Sequence, residues 1–176
     1  MDLSPNQLGR LGETAVSLEL QKKSFDVINL NDSIKNFPGA DLLCVSSKSG
    51  KHTFIQVKTG STNNIQCGLV STTGGIIDNL KSKVTCPWVF VHVEQHLDDI
   101  SFEFYVLTKD ETLELIDKSN HWYTKEWTRS LKCDVHVGVD VKWLKGEGSK
   151  ESKGLHPAFE STLRESALNR WDKLDL

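Results

Sequence analysis

Three side chains that could act together on a phosphate ester bracket one predicted β-hairpin: Asp41, Gln56 and Lys58. Asp41 opens the first strand and the other two lie at the end of the second, so antiparallel pairing brings all three to one end of a sheet. A carboxylate and a second oxygen ligand can hold Mg²⁺, which polarises a phosphate and lowers the pKa of bound water. A lysine can orient that water or neutralise developing charge. The pattern therefore suits phosphodiester hydrolysis.

The hairpin that positions these groups is predicted from two apolar runs and the polar segment between them. Residues 41–45 and 52–58 are the predicted strands, and residues 46–51, rich in Ser, Lys and Gly, connect them. Because side chains alternate along a strand, Gln56 and Lys58 share one face, and we expect Val57 to point into the core.

A helix is predicted ahead of the hairpin, over residues 5–22. Ser4 followed by Pro5 is typical of a helix start. Apolar side chains at helical spacing then define one face, namely those of Leu8, Leu11, Ala15 and Leu18. Gly9 and Gly12 each weaken such a helix by about 1 kcal/mol relative to Ala. We therefore expect that they let another element pack closely.

The segment Pro38-Gly39-Ala40-Asp41 together with Gln56-Val57-Lys58 resembles the PD-(D/E)xK nuclease superfamily. The core of that superfamily, called restriction-endonuclease-like, is a helix followed by three antiparallel strands, a helix and further strands. The helix around residues 9–15 and the strand predicted at 25–30 are similar to the first helix and strand of archaeal Holliday-junction resolvases and their bacterial relatives. The resemblance covers residues 8–60 and, through strand order, extends loosely to residue 107.

This resemblance implies a Mg²⁺-dependent DNA endonuclease in which Mn²⁺ can substitute. Asp41 and Gln56, with the carbonyl of Val57, would hold the metal. Glu13 matches the helix glutamate of the resolvases and would be a further ligand, directly or through water, while Lys58 would assist the attacking water. Gln56 stands where the commoner pattern has Asp or Glu. Because such enzymes often cut two strands as dimers, a homodimer is implied by analogy.

Candidate contacts to a nucleic acid surround these residues. Residues 61–75 are predicted to form a long polar loop, whose hydroxyl and N–H groups could contact phosphates, or which is a plain surface loop. The candidate contacts are Arg10, Lys58, Thr59, Ser61 and Gln66. Residues 121–129 interleave aromatic and basic side chains, which is typical of a nucleic-acid platform or of packing against a sheet.

The remaining elements complete the predicted fold class. They are a short helix near 76–80, strands at 87–93 and 101–107, a helix after the capping-box pattern at 108–111, a flexible loop at 146–154 and a last helix at 157–174. We therefore expect one α/β domain over 1–176, with a restriction-endonuclease-like core at 5–107. A central mixed sheet flanked by helices would follow the order α-β-β-β-α-β-β, and 108–176 would be a helical extension packed on the core.

Composition narrows the classes of protein without choosing one. The chain has 176 residues and a formal net charge of −3, so bulk charge does not indicate a nucleic-acid partner. Its four cysteines form no C-x-x-C pair and its histidines form no H-E-x-x-H motif, which disfavours a zinc site. With no signal-like or membrane-spanning run, we expect a soluble cytoplasmic protein.

Three other interpretations remain open at this point. One is a catalytically degenerate relative that binds nucleic acid or a protein partner without cutting. Another is a nuclease module of a phage-defence or restriction system that works only with a protein partner. The third is a structural α/β protein in which the motif is a coincidence.

Overall fold

The helices and strands are taken from a computed structural model, which describes residues 3–34, 37–72, 75–96, 99–121, 123–124, 134–145, 166–174 and 176. The helices are α1 (Pro5–Lys22), α2 (Leu30–Ser33), α3 (Leu80–Lys83), α4 (Lys109–His121) and α5 (Val141–Leu144), and a 3₁₀ helix spans Trp171–Leu174. The strands are β1 (Phe25–Asn29), β2 (Leu42–Ser46), β3 (His52–Gly60), β4 (Asn64–Ser71), β5 (Trp88–His96), β6 (Asp99–Leu107) and β7 (Val135–Asp140).

A five-stranded mixed sheet forms the centre of the fold, in the order β1-β2-β3-β5-β6. Strands β1, β2 and β3 are antiparallel neighbours, β3 and β5 run parallel, and β5 and β6 form an antiparallel pair. Strands β4 and β7 form a separate two-stranded antiparallel sheet. The predicted α/β class, with a mixed sheet flanked by helices, is confirmed.

Each face of the central sheet is covered by its own apolar cluster. On one face, Val16 and Leu20 of α1 pack with buried strand residues that include Leu42, Ile55 and Val89. On the other face, buried strand residues pack against β4, β7 and α4, in a cluster that includes Trp88, Phe90, Tyr105, Ile65, Leu115 and Val139. Because β5 is buried on both faces, its residues 88–93 are a nearly continuous apolar run, whereas β3 alternates buried and partly exposed side chains.

Helix α1 begins and ends where the sequence predicts. Ser4 and Gln7 form a capping box, in which the Gln7 N–H donates to Ser4 Oγ and the Ser4 N–H donates to Gln7 Oε1. The predicted apolar face is wrong at one position, because Leu18 is 52% exposed. The buried residues of α1 are instead Gly12, Val16 and Leu20, which lie on the side of the helix that faces the sheet.

Gly12 lets α1 approach β3 closely. A Cβ at position 12 would lie 1.9 Å from Thr59 Oγ1 and 2.9 Å from Thr59 Cβ, distances that real side chains do not adopt. Thr59 is β-branched and cannot easily rotate out of the way. The expectation of close packing is thus confirmed for Gly12. It is wrong for Gly9, because a Cβ there would meet no atom within 4 Å.

These two glycines are expected to respond oppositely to the same substitution. Gly12→Ala should lower the free energy of unfolding by about 2 kcal/mol, in the range of overpacked cores. Gly9→Ala should raise it by up to about 1 kcal/mol, because Ala favours the helix and the added methyl has room. Urea unfolding of the two variants beside wild type measures both changes. Stabilisation by both substitutions would contradict the close contact with Thr59.

The segment predicted as a long polar loop contains a strand instead. Strand β4 alternates buried and exposed side chains along its whole length and pairs with β7, with a register shift between Gln66 and Leu69 where Gly68 has a φ of +71°. The interleaved Gly, Ser and Asn residues concealed a period-two pattern of buried side chains, namely Ile65, Cys67, Leu69 and Ser71. The prediction of a loop is therefore wrong for residues 64–71.

The last third of the chain combines helices with a strand. Helix α4 starts at the predicted capping box, where the Thr108 N–H donates to Glu111 and the Glu111 N–H donates to Thr108. Strand β7 was not predicted. The predicted loop at 146–154, the predicted helix up to residue 165 and most of the aromatic and basic stretch at 121–129 lie outside the described residues. The helix prediction is wrong for residues 166–170, where Leu168 forms a β-bridge with Tyr105, and residues 171–174 form the 3₁₀ helix. Over the described ranges, no helix combines the length and the apolar character that a bilayer span requires.

Candidate active site

A cleft of about 790 Å³ opens at one end of the central sheet, between α1, the end of β1 and the start of β2. Four of the sequence-predicted site residues line it: Glu13, Asp41, Gln56 and Lys58. They come from α1, from the residue before β2 and from β3, so three separate elements contribute. The other lining residues are Pro5, Asn6, Gly9, Arg10, Asn29, Asn31, Asp32 and Phe37.

Asp41 is held rigidly by both its main chain and its side chain. Its N–H donates to the Ile55 carbonyl at 2.9 Å and its carbonyl accepts from the Leu30 N–H at 2.9 Å. Its Oδ2 accepts from the Val57 N–H at 2.7 Å and from the side-chain amide of Gln56. These bonds join the start of β2 to β3, so the carboxylate keeps one orientation with respect to the second strand.

Glu13 reaches the same cleft from α1 and is half-buried there. Its Oε2 accepts from Asn29 Nδ2 at 3.0 Å, and its Oε1 lies 3.5 Å from Asn31 Nδ2. Burial raises the pKa of Glu13, the hydrogen bond from Asn29 opposes this rise, and the nearby charge of Asp41 adds to it. The cleft therefore contains two carboxylates close enough to influence one another.

Gln56 and Lys58 extend from the same face of β3, as alternation along the strand predicts. The Gln56 amide donates to Asp41, whereas the Lys58 ammonium lies 5.3 Å from the centre of the Trp88 ring, in a cation–π contact. The intervening Val57 is only 6% exposed, which confirms that it points into the core. The sheet thus presents an amide and a cation on one wall of the cleft.

The candidate nucleic-acid contacts separate into two groups. Arg10 and Lys58 line the cleft. Thr59 points away from it towards Gly12, because alternation along β3 turns its side chain to the α1 face. Ser61 borders a different small cavity, and Gln66 lies on exposed positions of β4, where it donates to Asn64. Within the described residues, only the first group is brought to the cleft.

Two residues of the cleft, Asn29 and Asn31, were not predicted. Both residues contact Glu13, as described above. In addition, Asn29 Oδ1 accepts from the Asn31 N–H at 2.9 Å, and Asn31 Nδ2 donates to Asp41 Oδ1 at 3.1 Å. The sequence showed only a polar stretch that ends a strand. The signal that could have identified them is a pair of amides, two residues apart, at the end of the strand that follows a helix carrying Glu13.

A further group of titratable side chains lies on β5 and β6, outside the residues that line the cleft. His92 Nδ1 lies 3.2 Å from Glu103 Oε2 and 3.5 Å from Glu94 Oε1, a spacing that could hold a metal ion. Tyr105 donates to Glu103, and Lys145 lies 3.0 Å from its other oxygen. Although burial raises it, these hydrogen bonds hold the pKa of Glu103 below its ordinary value.

The cleft residues fit a hard divalent cation by their chemistry. The carboxylates of Glu13 and Asp41, the amide oxygen of Gln56 and the carbonyl of Val57 are all oxygen donors, which Mg²⁺ and Mn²⁺ prefer. Two carboxylates facing one cleft also leave negative charge for a cation to neutralise. The donor set is therefore chemically compatible with a divalent ion beside a lysine.

Comparison with known proteins leaves the function to be inferred from the cleft itself. No protein-family model matches the sequence, and no curated protein matches it. Among solved structures, the chain is similar to the bacterial homing endonuclease I-Ssp6803I, with 15% sequence identity and a TM-score of 0.42. The match covers 89% of this chain and 85% of that chain. A similarity at this level does not assign an activity.

Proposed function

We propose that this chain is a metal-dependent nuclease that hydrolyses phosphodiester bonds in DNA. One observation carries the proposal: Asp41 is fixed by the Val57 N–H and by Gln56 in the same cleft that receives Glu13 from α1 and Lys58 from β3. An anchored carboxylate, a second carboxylate and an ammonium group in one cleft are the groups that metal-assisted hydrolysis of a phosphate diester needs.

The carboxylates would hold the cation, with Gln56 and the Val57 carbonyl as further oxygen donors. Bound there, Mg²⁺ or Mn²⁺ would polarise the phosphate and lower the pKa of a water molecule. Asp41 loses little conformational freedom on binding, because its side chain is already held by the Val57 N–H at 2.7 Å. Preorganisation of this kind lowers the cost of assembling the site.

Lys58 and Arg10 would act on the substrate. The Trp88 ring supports the Lys58 ammonium at 5.3 Å and leaves its donors available to a phosphate oxygen or to the attacking water. Arg10 is exposed on the same cleft and would pair with a neighbouring phosphate. Because Glu13 and Asp41 repel phosphate when no cation is present, we expect DNA and the cation to strengthen each other's binding.

A second candidate function follows from the neutral side chain of Gln56. An amide attracts a cation less than a carboxylate does, so the chain could bind nucleic acid, or a protein partner, without cutting. In that case Lys58 and Arg10 would keep their contacts to phosphates. Binding that weakens with salt, without any cleaved product, would be its signature.

Incubation with supercoiled plasmid and with branched DNA tests the proposal. We expect nicked or cleaved product with Mg²⁺ or Mn²⁺ and none with EDTA. Lys58→Ala should slow the reaction by about a hundredfold, in the range for loss of one charge-stabilising donor. Lys48→Ala, in the exposed turn between β2 and β3, is the matched control and should cut normally. A wild-type protein inactive on every substrate would rule out the nuclease, and salt-sensitive binding alone would favour the second function.

A further inference from the structure

The side-chain amide of Asn31 lies between the two carboxylates of the cleft, and we propose that it is a positioning residue. It holds Glu13 and Asp41 at a separation from which both can bind one cation. This inference rests on the proposed function and deepens it, because it assigns a role to a residue outside the donor set.

The amide is placed by contacts at both of its ends. Asn31 Nδ2 lies 3.1 Å from Asp41 Oδ1 and 3.5 Å from Glu13 Oε1, so its two hydrogens can serve one carboxylate each. Its Oδ1 accepts from the Phe37 N–H at 3.3 Å. Because the oxygen is engaged by Phe37, the amide keeps its nitrogen towards the carboxylates.

The main chain of Asn31 is fixed as well. Its N–H donates to Asn29 Oδ1 at 2.9 Å, and the other end of the Asn29 amide donates to Glu13 Oε2 at 3.0 Å. Each oxygen of Glu13 therefore faces one amide nitrogen. Asn29 and Asn31 together hold Glu13 in a single orientation, which a flexible glutamate on a helix would not otherwise keep.

A neutral donor suits this position better than a charged one. Two carboxylates in one cleft repel each other, and a shared N–H₂ group lowers that cost by bonding to both. A lysine or arginine would do the same, but its positive charge would compete with the cation. Asn31 adds no positive charge of its own, so it stabilises the arrangement without a cation and leaves the attraction for a cation to the two carboxylates.

A double-mutant cycle tests the bridge without any cation. Asn31→Leu is expected to lower the melting temperature in wild type and to lower it less in Glu13→Gln and in Asp41→Asn, where one charge is already gone. Asn63→Leu, at an exposed position outside the residues that line the cleft, is the control and should change the melting temperature equally in all three backgrounds. An equal loss from Asn31→Leu in all three would overturn the proposal. Asn31→Ser serves in the same cycle if the leucine variant does not fold.

Calorimetric titration with MgCl₂ and MnCl₂ tests the positioning role. We expect Asn31→Leu to weaken cation affinity by about tenfold, in the range for residues that orient metal ligands, and Asn63→Leu to leave it unchanged. Equal affinity in wild type and Asn31→Leu would overturn the proposal, whatever the cycle shows. If wild type binds neither cation, the proposed function fails, and the positioning role fails with it; the cycle then reports only whether Asn31 bridges the carboxylates.

Discussion

Replacing Asp41 by Asn is expected to slow cation-dependent DNA cleavage by about a thousandfold, which corresponds to about 4 kcal/mol of lost transition-state stabilisation. The substitution removes one of two negative charges from the donor set and keeps the size of the side chain. Its remaining oxygen can still accept from the Val57 N–H, which lies 2.7 Å away in wild type. The fold should therefore survive, and initial rates of plasmid nicking at saturating Mg²⁺ measure the loss.

Asp26→Asn is the matched control for this experiment. Asp26 lies on β1 and accepts from Ser47 at an exposed position outside the cleft. Its replacement should leave the nicking rate within about twofold of wild type, as is usual for surface changes. An Asp41→Asn protein that is folded and keeps more than a tenth of the wild-type rate would contradict the role given to Asp41.

Gln56→Glu is expected to change stability and cation affinity in opposite directions. The Gln56 amide donates directly to Asp41, so a glutamate at position 56 replaces this donor with a third carboxylate in the cleft. Without a cation, the like charges and the lost hydrogen bond should lower the free energy of unfolding by about 1–3 kcal/mol. With a cation, the added charge should tighten binding by at least about tenfold, or 1.4 kcal/mol.

Thermal unfolding with and without MgCl₂ shows both effects together. Because a ligand that binds the folded state stabilises it more when it binds more tightly, the melting temperature of Gln56→Glu should rise more with MgCl₂ than that of wild type. Gln66→Glu places the same charge on an exposed position of β4 and should show neither change. A Gln56→Glu protein as stable as wild type in EDTA, with no larger response to MgCl₂, would contradict a cation site at Asp41.

Short-range sequence patterns predicted the helix and the hairpin whose residues line the cleft. The capped helix at Pro5–Lys22 and the hairpin of β2 and β3 follow from neighbouring residues, and the hairpin alone brings Asp41 beside Gln56. The period of two then places Gln56 and Lys58 on one wall. These relations depend on contacts close in sequence or on strand geometry, which patterns of residue type reflect directly.

The rest of the cleft depends on how α1 packs across the sheet. The contact of α1 with β1 brings the Asn29 amide to Glu13, and the contact of α1 with β3 places Thr59 against the helix. These contacts join residues that are far apart in the sequence, so a local sequence pattern does not predict them. Strand β4 was not predicted because its polar residues are of types that are common in loops. Its partner strand, β7, also lies about 70 residues later in the sequence. Strand pairing over such a sequence separation depends on how the whole core packs.

The close approach of Gly12 to Thr59 lies outside the residues that line the cleft, yet the proposed activity should depend on it. Glu13 follows Gly12 on α1, and Lys58 precedes Thr59 on β3, so this contact acts as the spacer that sets how far apart the two walls stand. A side chain at position 12 would push α1 away from β3, and we expect this displacement to move Glu13 away from Asp41. A screen for inactive variants should therefore recover Gly12 alongside the charged residues, although it carries no functional group.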